Sequence, residues 1–557
     1  MNPDVQARLD RFRLTPVDGQ GLKKLVEAGL TWLRANQQMV NALNVFPVPD
    51  GDTGTNMVLT MQSAYNEIDN LGHRGIGQMA AAISQGALMG ARGNSGVILS
   101  QLWRGFARTL HDQEVMDGAM LARALAEARD TAYKGVVRPV EGTILTVAKD
   151  AAAAAAQAIQ ETEDICEILK HVVKEADASV ERTPDLLPVL KQAGVVDSGG
   201  KGLFFILEGM LRFVNGEPLD TPIATVQPLS AMNLENTMDS IEPGQDYEVV
   251  VDFVPRETLD LQKFYSGLEK IGTSIQVGEG EGMYRMHIHV LTEKRYEPID
   301  YVMSLGTITK IAMENLVAQM DAKKQISPAA RLELATVEPG KIAVVSVSPG
   351  AGISRVFASL GVAAVVEGGQ TMNPSTKDIL DAFENLPTDK IIILPNNKNI
   401  ILAAEQARDV TVKKVHVVPS RSIPQGLAAM MHLNPDGETE VVAAKMKKAI
   451  EEVITVEVTT ATRTVEIDGV SVEQGQVIAL VNGKLAISTE TVEEACLGAL
   501  SHAQADKYEL ITFFHGEGLP IMETNRIVDV VRMKYPGQEI ELQDGGQPHY
   551  QFIISIE

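Results

Sequence analysis

The stretch that decides how this chain is interpreted is Pro47–Met57, which has the sequence PVPDGDTGTNM. Two carboxylates, Asp50 and Asp52, stand one residue apart on a turn rich in proline and glycine, and a helix-like apolar pattern follows at once. Paired carboxylates bind hard cations through oxygen, and Mg²⁺ in proteins combines one or two of them with substrate phosphates. Free N–H groups at the start of the following helix favour an anion. We therefore predict a magnesium–nucleotide site, with a plain surface turn as the alternative.

Length, charge and cysteine content bound the class of protein. The 557 residues correspond to about three or four domains of ordinary size. The formal net charge of −24 argues against a nucleic-acid or anionic-membrane surface. Cys166 and Cys496 lie too far apart in sequence to form a disulfide framework. We find neither a signal-peptide pattern nor an apolar run of the ~18–20 residues that a transmembrane helix needs. The sequence predicts a soluble, cytoplasmic protein with no transmembrane segment and no nucleic-acid partner.

Residues 1–215 are predicted to form an all-α domain. Apolar residues recur there at three- and four-residue intervals, which is typical of amphipathic helices. The predicted helices are Gly21–Asn36, Asn56–Ile68, Gly77–Met89, Val97–Leu110, Met116–Lys134, Gly142–Gln160 and Glu163–Val180.

The next part of the chain is predicted to contain a linker and a small α+β domain. Residues 216–246 are rich in Pro, Thr, Asn and acidic side chains without a sustained period, as in a linker. The middle domain, residues 247–325, has strand patterns at Tyr247–Val254 and Tyr284–Leu291 with a helical pattern at Glu257–Ile271 between them.

Short strands alternate with helices in residues 340–557, which predicts a C-terminal α/β domain with a parallel sheet. This region forms either one domain or two lobes, about 340–440 and 450–557. The predicted strands of the first lobe are Ile342–Val347, Ala363–Val366, Lys390–Leu394 and Lys414–Val418.

Three further stretches of the helical domain resemble the Asp50–Asp52 turn in character. They are Gly90–Gly96, Arg138–Thr143 and Asp197–Gly202, and each opens a predicted helix. Each alone is more often a capping turn than a ligand site. Four such helix starts in one domain, however, are what a nucleotide pocket at one end of a helical bundle requires.

The middle domain contains a histidine pair. His287 and His289 project to one face of a predicted strand and could form half of a zinc site. Asp252 or Glu248 could add an oxygen ligand. Two hydrogen-bonded structural histidines are favoured over Zn²⁺ on the residues alone.

Together these motifs resemble the nucleotide-binding L-type domain of dihydroxyacetone kinases. More closely, and along nearly the whole chain, they resemble the FakA component of bacterial fatty acid kinase, a Dak2-domain family. The matching motifs are Asn44–Met57, Gly93–Gly96, Asp197–Gly202, Gly369–Thr376, Leu394–Ile400, Ile423–Ala428 and Gly545–Pro548.

The resemblance implies an all-α, eight-helix antiparallel barrel that holds ATP and two Mg²⁺ ions, followed by a small α+β domain and a C-terminal α/β domain. Asp50 and Asp52 match the metal-binding, catalytic carboxylates. A third metal Asp of dihydroxyacetone kinases falls on Val45, and the neighbouring Asn44 is our candidate in its place. The implied nucleotide-binding residues are Thr53, Gly54, Thr55, Asn56, Asn94, Ser95, Gly96, Thr143, Asp197, Ser198 and Gly199.

The resemblance also implies an activity and a partner. The chain would be an ATP-dependent phosphotransferase that passes the γ-phosphoryl group to a fatty-acid carboxylate, presented by a separate DegV-like fatty-acid-binding protein. We expect a homodimer, and we interpret the loops Gly369–Asn373 and Pro395–Asn399 as interaction surface for the partner. Two alternatives remain: a glycerone-type kinase acting on a small ketone, and a non-catalytic nucleotide-sensing scaffold.

Overall fold

The computed structural model describes residues 16–45, 51–72, 74–219, 227–228, 246–256, 259–280, 283–316, 332–370, 372–461, 465–467 and 470–557. Asp50 lies outside the described residues. The helices of the N-terminal part are α1 (Gly19–Ala35), α2 (Gln37–Ala42), α3 (Thr53–Asp69), α4 (Ile76–Met89), α5 (Gly93–Thr109), α6 (Gly118–Lys134), α7 (Ile144–Ala158), α8 (Ile165–Leu186), α9 (Pro188–Ala193) and α10 (Ser198–Asn215). Two short strands, β1 (Val17–Asp18) and β2 (Val115–Met116), pair antiparallel.

Aspartates fix the starts of several of these helices. The side chains of Asp18, Asp117, Asp164 and Asp197 each accept a hydrogen bond from a backbone N–H in the first turn of the helix that follows. A short acceptor at this position satisfies one of the donors that a helix start leaves unpaired. The predicted all-α N-terminal domain is confirmed, with boundaries shifted by a few residues.

The long helices surround one apolar core. Along the series α1, α3, α4, α5, α6, α7, α8 and α10, each helix packs on the next, and α10 packs back on α1. Trp32, Met57 and Phe205 are among the largest side chains buried inside. This arrangement brings the starts of alternate helices to the same end of the domain.

The middle domain is a sheet covered by two helices. Its elements are β3 (Gln227–Pro228), β4 (Tyr247–Pro255), α11 (Leu261–Leu268), β5 (Thr273–Gly280), β6 (Met283–Val290), α12 (Glu297–Leu305) and β7 (Gly306–Asn315). The strand order is β3-β5-β6-β4-β7, antiparallel except for β3 beside β5. Phe264 on α11 and Val302 on α12 share a buried cluster with Val249 and Val251 of the sheet.

The first C-terminal lobe contains β8 (Ala343–Ser348), α13 (Ala351–Ser359), β9 (Ala364–Glu367), α14 (Thr376–Glu384), β10 (Lys390–Leu394), α15 (Ile401–Val410), β11 (Lys414–Val417), α16 (Ile423–Met430) and α17 (Thr439–Ala449). Its four strands form a fully parallel sheet in the order β11-β10-β8-β9. The predicted parallel α/β organisation is confirmed in this lobe.

The second lobe is built on another sheet. Its elements are β12 (Ile454–Thr460), β13 (Val465–Ile467), β14 (Val470–Val472), β15 (Val477–Val481), β16 (Lys484–Thr489), α18 (Val492–His502), β17 (Leu510–His515), α19 (Ile521–Lys534), β18 (Glu539–Asp544) and β19 (Tyr550–Ile556). Six strands follow the order β16-β15-β12-β19-β17-β18, in which only β17 and β18 run parallel. Phe514 and Ile553 join the core of the first lobe, so the two lobes pack together.

The first C-terminal lobe packs against the helical domain. Helix α5 contacts α15, and α4 contacts α14. Ala91 and Val97 of the helical domain are buried in one apolar cluster with Val347, Phe383 and Ile391. Among the helices of the described residues, none combines the length and apolar character needed to cross a bilayer.

Candidate functional site

The start of α3 presents the second carboxylate of the sequence motif. Asp52 is 8% exposed and directly precedes the helix, after Gly51 with a φ of +67°. Its side chain makes no capping hydrogen bond to its own helix, although its backbone oxygen accepts the N–H of Asn56 at 2.8 Å. The carboxylate therefore does not consume the first N–H groups of α3, which leaves that end of the helix suited to an anion.

Helix α2 holds the next residues of α3 in place. The hydroxyl oxygen of Thr55 accepts hydrogen bonds from Gln37 at 2.9 Å and from Asn41 at 3.1 Å, and Asn41 Oδ1 accepts the N–H of Thr55. A Cβ on Gly54 would lie 2.4 Å from the backbone oxygen of Gln37. Thr55 and Gly54 thus anchor the turn against α2. The candidate metal ligand Asn44 is buried just beyond α2.

The start of α10 meets the start of α3. The hydroxyl of Ser198 donates to the hydroxyl oxygen of Thr53 at 3.2 Å, and both side chains are buried. These two predicted nucleotide-binding residues are 145 positions apart in sequence. Their contact brings two of the four predicted helix starts together.

The start of α7 meets the start of α10. The carboxylate of Asp197 accepts backbone N–H groups from both Gly200 and Ile144, the first residue of α7. Thr143 caps α7 and also donates to the backbone oxygen of Val140 at 2.7 Å. A Cβ on Gly199 would lie 3.3 Å from Ile144 Cβ, so glycine permits the close approach. Burial raises the pKa of Asp197 from 3.8 to about 6, against the opposing effect of its two backbone donors.

The start of α5 completes the group. Gly93 has a φ of +57°, and a Cβ there would lie 2.6 Å from Asn56 Nδ2. A Cβ on Gly96 would lie 2.4 Å from Thr60 Oγ1, so α5 crosses α3 closely at this point. Asn94 and Ser95, half-buried, lie between the two glycines. The structure thus gathers the described members of all four predicted helix starts at one end of the helical domain.

Residues of the C-terminal lobe cover this end. Asn373 Nδ2 donates to Asp52 Oδ2, and Asn94 Nδ2 donates to Asn399 Oδ1 at 3.2 Å. Asn373 lies between β9 and α14 and Asn399 follows β10, so both sit beyond the carboxyl ends of parallel strands, where ligand loops of open sheets lie. We predicted these loops as a surface for a separate partner. The structure instead directs their asparagines at the helical domain of the same chain.

An arginine near the site escaped the sequence analysis. Arg92 precedes α5, and its guanidinium donates to the backbone oxygen of Asn373 at 2.9 Å and pairs with Asp378 at 3.2 Å. Arg92 lies inside the glycine-rich motif Gly90–Gly96, so its position in that motif is the signal that could have identified it.

The middle domain holds a separate cluster of possible metal ligands. Glu248 on β4 faces His289 on β6, and His287 Nε2 lies 2.7 Å from Glu248 Oε1. One ligand atom from each of the three side chains lies within 4.8 Å of the others, and all three residues are buried. Burial, with a further effect of His287, lowers the pKa of His289 to about 4, which favours the neutral imidazole that a metal ion requires.

The alternative oxygen ligand is engaged elsewhere. Both carboxylate oxygens of Asp252 accept hydrogen bonds from Arg285, at 2.6 Å and 2.7 Å. Of the two acidic residues considered from the sequence, Glu248 is therefore the one that joins the histidines. Two imidazoles and a carboxylate form a donor set that fits Zn²⁺.

Family profiles match most of the chain. The DAK2 domain matches residues 47–212, the middle domain of the FakA-like fatty acid kinase proteins matches residues 243–323, and their C-terminal domain matches residues 343–557. With the full-length relatives described next, these matches show that the chain belongs to the FakA-like family of fatty acid kinase proteins.

Two relatives illustrate the extent of the similarity. Protein YloV of Bacillus subtilis (strain 168) is 40% identical over 554 residues, which cover 97% of this chain and 99% of the relative. An uncharacterized protein of Staphylococcus aureus (strain MRSA252) is 37% identical over 552 residues, covering 98% of this chain and 100% of the relative. The dihydroxyacetone kinase of C. freundii, solved in complex with AMP-PNP and Mg²⁺, aligns with a TM-score of 0.29 and 19% identity over 36% of this chain and 35% of that one. A TM-score that low carries no argument.

Proposed function

We propose that this chain is the ATP-dependent kinase component of a fatty acid kinase. It would transfer the γ-phosphoryl group of Mg-ATP to a fatty-acid carboxylate, presented by a separate DegV-like fatty-acid-binding protein, and so form an acyl phosphate. Family membership supports the reaction class. The observation that carries the proposal is the convergence of the starts of α3, α5, α7 and α10 beside the buried carboxylate of Asp52.

The helix starts are suited to the nucleotide phosphates. Each presents unpaired N–H groups and the positive end of a helix dipole. The hydroxyls of Thr53 and Ser198, 3.2 Å apart, can each turn to donate to a phosphate oxygen. We further propose that the ring of long helices is the eight-helix antiparallel barrel that the resemblance implies, with the phosphate site at one rim.

The residues at the start of α3 fit a hard cation. Asp52 supplies a buried carboxylate, Asp50 is the neighbouring carboxylate of the motif, and Asn44 offers a neutral oxygen close to α2. These are the oxygen donors that Mg²⁺ accepts together with phosphates. Mg²⁺ bound there supplies the positive charge that phosphoryl transfer requires. The acceptor carboxylate is ionised at neutral pH, so the chain need not provide a strong general base.

The test is ATP consumption by the purified full chain with Mg²⁺ and oleate, with and without a fatty-acid-binding protein from the same cell. We expect turnover only when lipid and partner are both present. Asp52→Ala and Asp50→Ala should each abolish turnover while the circular dichroism spectrum stays that of a folded protein. Asp69→Ala is the matched control, because this half-exposed carboxylate lies at the opposite end of α3.

Other outcomes would select the alternatives. Full activity in Asp50→Ala or Asp52→Ala refutes the metal assignment. Turnover with dihydroxyacetone in place of oleate and its carrier would establish a glycerone-type kinase. ATP binding without turnover on either acceptor would favour a nucleotide-sensing scaffold.

We also propose that Glu248, His287 and His289 bind Zn²⁺, since their ligand atoms are already clustered. Zn²⁺ should raise the thermal unfolding temperature of the wild-type chain and bind at one equivalent per chain. His287→Ala should lose that equivalent, whereas Asp252→Asn, on the same strand as Glu248, should retain it. Equal zinc content in wild type and His287→Ala would refute the assignment.

A further inference from the structure

The contact between Asn373 and Asp52 joins two domains at the carboxylate that the proposed function assigns to the metal. Asn373 Nδ2 donates to Asp52 Oδ2 across 321 positions of sequence. Asn373 is 2% exposed and Asp52 is 8% exposed, so water screens this hydrogen bond little. A hydrogen bond to a carboxylate is among the stronger ones in a protein interior.

The backbone around Asn373 is fixed to the helical domain at several points. Arg92 Nη1 donates to the backbone oxygen of Asn373 at 2.9 Å, and the N–H of Thr376 donates to the backbone oxygen of Ala91 at 3.1 Å. Ser375 and Asp378 form a capping box at the start of α14, and Asp378 also pairs with Arg92 at 3.2 Å. The side chain of Asn373 is therefore presented to Asp52 from a rigid support.

The remaining polar atom of this side chain lacks a partner. Asn373 Oδ1 is buried and accepts no hydrogen bond from any of the described residues. An unpaired buried acceptor costs roughly 1–3 kcal/mol, so such an atom in a native site calls for a ligand. A Cβ on Gly93 would lie 2.6 Å from Asn56 Nδ2 and 3.6 Å from Asn373 Nδ2, which places the asparagine among the predicted nucleotide-binding residues.

A second contact from the C-terminal lobe supports the same arrangement. Asn399 Oδ1 accepts from Asn94 Nδ2 at 3.2 Å. Its own backbone N–H donates to Asn397 Oδ1 at 2.8 Å, and Asn397 Nδ2 donates to Gln370 Oε1 at 2.7 Å. The loops that follow β9 and β10 are thus linked to each other and reach two of the four helix starts.

We propose that Asn373 is a positioning residue for Asp52, and that the C-terminal lobe thereby completes the metal–nucleotide site of the helical domain. The proposal rests on the proposed function, because it gives Asp52 a metal-binding role. By holding Oδ2, Asn373 fixes the orientation in which the carboxylate meets a cation. Hydrogen-bond partners of this kind typically contribute about 10–100-fold to metal affinity.

The experiment measures Mn²⁺ binding to the full chain by electron paramagnetic resonance, in the presence of AMP-PNP. Mn²⁺ replaces Mg²⁺ as a spectroscopic probe, so the readout does not depend on turnover. We expect Asn373→Ala to weaken Mn²⁺ binding by about tenfold and Asp52→Ala to remove the nucleotide-dependent site. Asn373→Ser, which retains a donor, should lie between wild type and Asn373→Ala and replaces it if the alanine variant does not fold.

The matched control separates positioning from domain docking. Gln406 on α15 donates to Ser100 Oγ on α5 at 3.0 Å, a buried contact between the same two domains that involves different residues. Gln406→Ala should leave Mn²⁺ affinity within about twofold of wild type, on the argument that only the partner of a ligand tunes the metal. Equal weakening in Gln406→Ala and Asn373→Ala would overturn the positioning role.

Two further outcomes distinguish this inference from the proposed function. Unchanged Mn²⁺ affinity in Asn373→Ala, with the site lost in Asp52→Ala, would refute the role of Asn373 and leave the proposed function standing. Retention of the nucleotide-dependent Mn²⁺ site in Asp52→Ala would refute the metal assignment itself, and with it the role of Asn373.

Discussion

Asp197 should make the stability of the helical domain depend on pH. Its carboxylate caps α10, accepts N–H groups from Gly200 and Ile144, and is almost completely buried. Burial raises its pKa from 3.8 to about 6, because removal of water disfavours the charged form more than two backbone donors favour it. The protonated form is therefore the better fit to the folded nucleotide-free chain.

The size and sign of the effect follow from linkage. A group whose pKa is higher in the folded state stabilises the fold fully below its unfolded pKa, and that stabilisation is lost as the pH rises through the folded pKa. For Asp197 the window runs from 3.8 to about 6. At about 1.4 kcal/mol per pKa unit, the total loss across the window is roughly 3 kcal/mol.

Asp197→Asn removes the charge and keeps a good N-cap acceptor. We expect the stability of this variant, relative to wild type, to increase by about 2 kcal/mol between about pH 4.5 and about pH 7.5. Thermal unfolding followed by circular dichroism measures the difference at each pH, and other titrating groups cancel between the two proteins. Asp185→Asn is the matched control, because this carboxylate near the end of α8 is 74% exposed.

The result that would refute the reasoning is a difference between Asp197→Asn and wild type that stays constant over this pH range. It would mean that the two backbone donors hold Asp197 ionised in spite of burial. A pH-dependent difference of the same size in Asp185→Asn would instead assign the effect to general charge and not to the environment of Asp197.

Three further predictions follow from local geometry. Gly54→Ala should lower the free energy of unfolding by about 1–3 kcal/mol in urea titration, since its Cβ would lie 2.4 Å from the backbone oxygen of Gln37; an unchanged midpoint would contradict this contact. Because burial lowers the pKa of His289 to about 4, its NMR ring signals should titrate near that pH in the metal-free chain, and middle-domain stability should fall as the pH drops from about 6.5 towards 4; titration near 6.5 would contradict the burial. Cys166 and Cys496 are buried, and burial raises the pKa of the Cys496 thiol, so a thiol-reactive dye should label neither before urea unfolds the chain, and rapid labelling of either would contradict this placement.

Much of the fold was predictable because its determinants are local. Helix starts such as those at Asp197 and Thr143 depend on a capping side chain and the residues just after it. The strand Lys390–Leu394 was predicted with its observed bounds because a run of isoleucines has few alternatives. In contrast, the polar and glycine-containing strand Thr273–Gly280 was missed, and so was the lysine-rich helix Thr439–Ala449. Neither has a strong periodic apolar pattern, and each is defined by the surface on which it packs.

The candidate site divides in the same way. The sequence predicted the residues at the helix starts, and the structure places Thr53 beside Ser198 and Asp197 beside the first turn of α7. The contact of Asn373 with Asp52 was not predictable, because no pattern in either segment specifies how two domains pack across 321 residues of chain. Polar loops after parallel strands identify a binding edge, but they do not say what occupies it.

The shared core between α5 and the C-terminal lobe has a consequence for proteolysis. The segment after α10 has the composition of a linker, so cleavage there would be expected to release an intact helical fragment. Such a fragment would carry Ala91 and Val97, which are buried in the full chain against Val347 and Phe383, as a bare apolar strip beside its ATP pocket. Exposed strips of this kind promote self-association. Nicked chains should therefore aggregate, and a cell could dispose of this kinase with a single cut far from its catalytic carboxylates.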